Sequence, residues 1–113
     1  MKRSITQTRV FERELGALIK RRRLLKRDFE DFKSTLCKNP EEGDLIVGTG
    51  GVRKTRLKSP SKGKSGSFRV CYFYDSEREE IFLLLIYSKN EQENLSADEK
   101  RALKAFTDTI KGY

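Results

Sequence analysis

An α+β domain is predicted, a small antiparallel sheet with an N-terminal helical hairpin and a C-terminal helix, on three observations. Two consecutive stretches near the start carry apolar residues at helical spacing, a central block carries β-branched and aromatic runs of strand length, and a serine-led capping pattern opens a last helix. A chain of 113 residues can bury one respectable core and not two, so residues 1–113 are read as one domain.

Ser4-Ile5-Thr6-Gln7-Thr8 suits a short first strand. From about Arg9 the period changes: Phe11, Leu15, Leu18 and Ile19 fall on one helical face. Leu25, Phe29, Phe32 and Leu36 repeat the pattern, and Asn39-Pro40 must end it, because proline disfavours helix in the residue before it. Gly48-Thr49-Gly50-Gly51 reads as a flexible turn before a strand at Val52 to Leu57. Lys58 to Ser67, rich in Lys, Ser and Gly, reads as a mobile basic loop, and Phe68 to Tyr74 as the clearest strand. After a turn at Asp75 to Glu79, Ile81-Phe82-Leu83-Leu84-Leu85-Ile86-Tyr87 has no polar face and must be a strand covered on both sides. Ser96-Ala97-Asp98-Glu99 is a capping box, Leu103, Phe106 and Ile110 supply the apolar face of the helix it opens, and Gly112 ends it.

Composition removes whole classes of chemistry. The chain contains no histidine, which excludes a histidine general base and His-ligated metal; any catalysis must run on Lys, Arg, Tyr and carboxylates. Cys37 and Cys71 have no C-x-x-C spacing and read as reduced structural thiols. No cofactor or metal is expected. The longest apolar run is far too short for a membrane span, and a cytoplasmic setting is expected.

A formal net charge of +8 favours a polyanionic partner, and its distribution is more informative than its sum. No acid occurs from Leu45 to Tyr74, whereas Arg53, Lys54, Arg56, Lys58, Lys62, Lys64 and Arg69 all fall there. On a strand, Lys54, Arg56 and Lys58 share one face and Arg53 and Thr55 the other. A solvated sheet edge protected by cations is the plain reading of such a strand. Against it stand Arg69 among aromatics on the next strand, and Tyr87 and Lys89 at the end of the apolar one; cations interleaved with aromatics suit contact with single-stranded RNA. The run Lys20-Arg21-Arg22-Arg23 is a solvated helix face or a phosphate-contacting patch that positions RNA without reading it.

Gly48-Thr49-Gly50-Gly51-Val52-Arg53-Lys54, Lys62-Gly63-Lys64-Ser65-Gly66-Ser67-Phe68-Arg69-Val70 leading into Tyr72-Phe73-Tyr74, and Leu84-Leu85-Ile86-Tyr87-Ser88-Lys89-Asn90-Glu91 together resemble the HigB-like branch of the RelE/ParE superfamily of bacterial toxins. The resemblance spans about Asp28 to Ile110. It implies a β-α-α-β-β-β-α order and the toxin of a type II toxin–antitoxin pair. Such a toxin is an endoribonuclease that enters the ribosomal A site and cuts messenger RNA, and a HigA-like antitoxin, a helix-turn-helix DNA-binding protein, restrains it. It also implies basic residues on the concave sheet face, here Lys54, Arg56 and Arg69. The chain departs from the RelE pattern at Lys89-Asn90-Glu91, where RelE-type members carry an Arg next to the Lys and a Tyr several residues later.

Such cleavage requires the 2′-hydroxyl to lose a proton as it attacks phosphorus, the phosphorane charge to be stabilised, and the 5′-oxygen to be protonated. Like-charge crowding favours a neutral lysine amine, so Lys54 is the candidate base. Arg56 and Arg69 suit the phosphate, Lys89 a phosphate contact or acid, Tyr87 stacking or orientation, and Glu91 a second candidate base. Arg53, Lys58, Lys62, Lys64, Arg21, Arg22 and Arg23 are candidate RNA contacts. Two other readings stay open: a ParE-like inhibitor of DNA gyrase on the same fold, and a non-catalytic RNA- or ribosome-binding module.

Overall fold

The computed structural model describes residues 3–59, 67–92 and 94–112. A first strand, β1 (Ser4–Gln7), leads to helices α1 (Arg9–Lys20) and α2 (Lys26–Lys38). Four strands follow: β2 (Asp44–Leu45), β3 (Arg53–Lys58), β4 (Ser67–Asp75) and β5 (Glu80–Ser88). Helix α3 (Ala97–Lys111) closes the order. The sheet runs β1-β5-β4-β3-β2. It is mixed where an antiparallel one was expected, because β1 lies parallel to β5 while all other pairs are antiparallel. The direction of a strand at the far edge is set by the helical crossover, which no local pattern records. The two-residue β2 was not foreseen either. The Lys58 to Ser67 expectation falls mainly on 60–66, outside the described residues, and its two ends belong to β3 and β4.

Both sheet faces are apolar and each carries its own core. Against the helical hairpin, Leu57, Phe68, Val70, Tyr72, Ile81, Leu83 and Ile86 meet Phe11, Leu15, Leu18, Phe29 and Leu36. Against α3, Val52, Cys71, Phe73, Phe82, Leu84 and Tyr87 meet Leu103 and Phe106. The two sets on β5 do not follow strict alternation. Cys71 stands opposite Leu85 and Tyr72 opposite Leu83, which leaves Leu84 as an extra residue on β5. This bulge reverses the alternation, so Tyr87 shares a face with Phe82 and Leu84.

The helix ends follow the chemistry of their sequences. Thr8 follows the first strand and caps α1, its hydroxyl accepting from the Phe11 amide. The Ser96–Glu99 box is formed, with Glu99 N–H donating to Ser96 Oγ at 3.1 Å and Ser96 N–H to the Glu99 carboxylate at 2.8 Å. Gly112 takes the left-handed conformation beyond α3.

The glycine turn at 48–51 is packed where it was expected to be loose. Thr49 is fully buried; its hydroxyl donates to the Ile46 carbonyl and accepts from the Val52 amide. Its carbonyl accepts from Thr107 of α3 at 2.8 Å, and the Lys111 ammonium reaches the Gly50 carbonyl. The turn is therefore the anchor that seats α3 on the sheet. A Cβ at Gly50 would lie 2.5 Å from Thr107 Oγ1 on a backbone with φ +76°, whereas one at Gly48, φ +84°, meets nothing.

Gly50→Ala is expected to lower the urea midpoint by the equivalent of about 2–4 kcal/mol, left-handed strain plus overpacking. Gly48→Ala, with strain alone, is expected to lower it by about 1–2 kcal/mol.

Candidate nucleic-acid interface

The register of β3, β4 and β5 builds a small lattice on the face that carries α3. Arg56 stands directly opposite Arg69, and Arg69 opposite Tyr87, one row across three strands. In the next row Asp44 faces Lys54, and Lys54 faces Cys71. Lys58 continues the β3 column opposite Ser67. Directly opposed side chains have Cβ atoms about 5 Å apart. The expected gathering of Lys54, Arg56 and Arg69 on one pleated face is present, and these three line a groove of about 250 Å³ together with Glu42, Asp44 and Thr55.

The wall is accessible from β3 and closed toward β5. Arg56 and Lys58 are exposed, Lys54 and Arg69 half-buried, and Tyr87 buried. Neither Lys54 nor Arg56 makes a side-chain hydrogen bond or ion pair among the described residues, and the Arg69 contacts, to Ser67 Oγ and the Phe68 carbonyl, are both 3.4 Å long. Guanidinium donors with such weak internal partners are available to an incoming phosphate.

Burial governs the neighbouring groups. It pushes the Cys71 thiol up to about 12 against the opposing pull of Lys54, and the Tyr87 hydroxyl to about 12 with Cys71 adding and Arg69 opposing. At neutral pH both keep their protons. The Tyr87 oxygen is buried and has no hydrogen-bond partner among the described residues. A ring only 9% exposed presents no face for base stacking, which corrects that expectation: Tyr87 underlies Arg69 as part of the α3-side core.

Other expected site residues are dispersed. Arg53 lies on the opposite face with Tyr72, and its guanidinium is held by the Glu41 and Gly43 carbonyls at 3.1 and 2.8 Å and by the Glu41 carboxylate. Those contacts secure the β2 approach on the face opposite Lys54 and Arg56. Glu91, the second candidate base, pairs with Arg23 at 2.9 Å in a separate groove of about 450 Å³, away from the Lys54–Arg56–Arg69 wall. That groove is electrostatically mixed, with the Glu14 carboxyl there pushed up by burial. Arg21 is the C-cap of α1 and Arg22 follows it at φ +57°, both exposed, so the arginine run forms a helix end instead of one helix face. Lys89 is exposed in the turn after β5. Lys62 and Lys64 lie outside the described residues.

Sequence reasoning missed Glu42 and Asp44. The acid-free interval from Leu45 to Tyr74 suggested an uncompensated field, yet β2 folds back along β3 and lays Asp44 beside Lys54. Lys54 thus has an anionic neighbour as well as cationic ones. The signal was weak: a single Asp before Leu45-Ile46-Val47, in a segment that reads as loop.

Alkylation of the native protein at pH 8 is expected to modify the half-buried Cys37 and spare Cys71, with both reacting in urea; peptide mass mapping reads this. Both raised groups have one consequence for stability. Below their ordinary values they are protonated in both states; above about pH 9 the unfolded chain ionises Cys71 first and then Tyr87 while the fold resists. Stability is therefore expected to fall from about pH 9 toward 12, read as a falling urea midpoint.

Comparison with known proteins bears on this architecture. A structure of E. coli toxin RelE, an arginine-to-alanine double mutant in the free state, superposes with a TM-score of 0.51 at 18% identity, over 82% of this chain and 90% of that one. That likeness establishes the fold. The family model for the RelE toxin of the RelE/RelB toxin–antitoxin system matches residues 4–113. The chain therefore belongs to the RelE toxin family, and an antitoxin is its implied partner.

Proposed function

We propose that this toxin is a ribosome-dependent endoribonuclease of the HigB-like branch, acting in the cytoplasm on messenger RNA in the ribosomal A site and restrained by a HigA-like antitoxin. The observation that carries the reading is the Arg56–Arg69 pair. Two guanidinium groups directly opposite one another on neighbouring strands repel, and a sheet gains nothing from them. An anion between them turns the repulsion into a clamp.

The reaction follows from the groups in the groove. Arg56 and Arg69 bind the non-bridging oxygens of the scissile phosphate by paired hydrogen bonds, and Lys54 adds a third positive charge. As the 2′-oxygen bonds to phosphorus, the phosphorane gains negative charge, and donors brought together by strand register stabilise it. The P–O5′ bond breaks, leaving a 2′,3′-cyclic phosphate and a 5′-hydroxyl end. No metal is required in this scheme. Two kinds of group in the groove can take the 2′-hydroxyl proton, a carboxylate, or Lys54 in its neutral amine form in place of that third charge. Lys58, Lys89 and the exposed arginines after α1 contribute attraction to the RNA backbone without reading sequence.

On ribosomes programmed with a defined message, the chain is expected to cut within the translated frame, with message ends mapped by primer extension. Arg69→Ala and Lys54→Ala are each expected to slow single-turnover cleavage by about 100-fold or more. Arg53→Ala is expected to lower thermal stability while leaving the cleavage rate of folded protein within about threefold. Undiminished cleavage by Arg69→Ala sinks the proposal.

A further inference from the structure

We propose that Asp44, opposite Lys54 on the sheet face, is the general base that accepts the 2′-hydroxyl proton. The assignment rests on the nuclease reading above and adds a catalytic residue to it. It begins from elimination. The chain has no histidine; arginine does not give up its proton at any working pH. The Tyr87 hydroxyl is buried and stays protonated. Glu91 is paired with Arg23 in the other groove. What remains beside the phosphate-binding guanidinium groups is Lys54, Glu42 and Asp44.

Geometry separates these three. Asp44 and Lys54 are register partners on β2 and β3, so both side chains leave the sheet on the face that carries Arg56 and Arg69. Asp44 is exposed and makes no side-chain hydrogen bond or ion pair among the described residues. Its oxygens are therefore free to accept a proton. Glu42 precedes β2 and lies outside the Asp44–Lys54 strand pairing; like Arg56 it also borders a further groove of about 290 Å³, with Asp28, Asp31 and Phe32 of α2.

The proton inventory closes within the groove. The 2′-hydroxyl proton passes to an Asp44 oxygen as the 2′-oxygen bonds to phosphorus. The P–O5′ bond breaks, and the leaving 5′-oxygen takes a proton from the Lys54 ammonium. After product departs, the proton on Asp44 returns to the Lys54 amine. A carboxylate next to an ammonium is in this way a matched base and acid, reset by one proton transfer between cross-strand neighbours.

The test measures two quantities on programmed ribosomes, single-turnover cleavage and binding of the toxin, for the unsubstituted chain, Asp44→Asn, Asp44→Glu and Glu42→Gln, with folding checked by thermal melting. Asp44→Asn is expected to slow cleavage by about 100-fold or more while binding stays equal or tightens, since a negative charge has been removed. Asp44→Glu should restore part of the rate, and Glu42→Gln should slow it by less than about threefold. Cleavage by Asp44→Asn at the unsubstituted rate, or loss of rate explained by weaker binding, overturns the assignment of Asp44 and leaves the nuclease reading standing. Absence of cleavage by the unsubstituted chain overturns both.

Discussion

One constraint shapes this molecule: a single sheet must bury two apolar faces, and the helices available cover only one of them fully. The hairpin α1–α2 spreads over the first face, whereas α3 alone sits on the second, seated by the Thr107 hydroxyl on the Thr49 carbonyl. Its apolar contacts are with Val52, Cys71, Phe73, Phe82, Leu84 and Tyr87. The β3 column of Lys54, Arg56 and Lys58 is left outside that core. An uncovered strip on a pleated surface must be polar, and here it is cationic. Repulsion between Arg56 and Arg69 is tolerated because Arg56 is in solvent, where opposed charges interact weakly, and because the other face pins the register. Leu57, Phe68, Val70 and Tyr72 are all fully buried there, and a one-residue slip would expel them while burying the cations.

Most of the architecture was legible in the sequence because it rests on local periodicity. The Phe11, Leu15, Leu18 and Phe29, Leu36 faces enter the first core as their spacing requires, and the Ser96 capping box forms. The all-apolar run at Ile81 to Tyr87 is covered on both sides. What escaped detection rests on partners distant in the chain. The direction of β1 depends on Glu80 to Leu83, and β2 exists only because β3 is beside it. The turn at 48–51 looked loose because glycines were read without Thr107, the group that a Cβ at Gly50 would strike.

The site was legible to the same depth. Alternation placed Lys54 and Arg56 on one face, and that local inference needed no partner strand. Tyr87 illustrates the limit. Strict alternation along β5 would group it with Ile81 and Leu83, toward the helical hairpin; the extra residue at Leu84 turns it to the other side, beneath Arg69. Glu91 and Arg53 illustrate another. Each looked available as a sequence position, and each is held by a group outside its own segment, Arg23 in one case and the Glu41 and Gly43 carbonyls in the other.

A wall made only of cations also poses a chemical problem, since it grips a phosphodiester before reaction about as firmly as during it. Binding both states equally tightens the complex and does not accelerate the step. Acceleration needs groups whose interaction strengthens as the bonds change: donors that follow the charge growing on the phosphorane oxygens, and an acceptor for the proton released by the attacking hydroxyl. In the proposed scheme Arg56 and Arg69 are the first kind. A carboxylate in such a groove lowers affinity for the ground-state anion, so a module built for RNA binding alone would gain by omitting it. Here β2, a two-residue strand contributing little to either core, puts an exposed aspartate directly across from Lys54, on the side away from Cys71. Affinity sacrificed at that position makes sense as chemistry, because an acceptor is useful there only if a proton has to move.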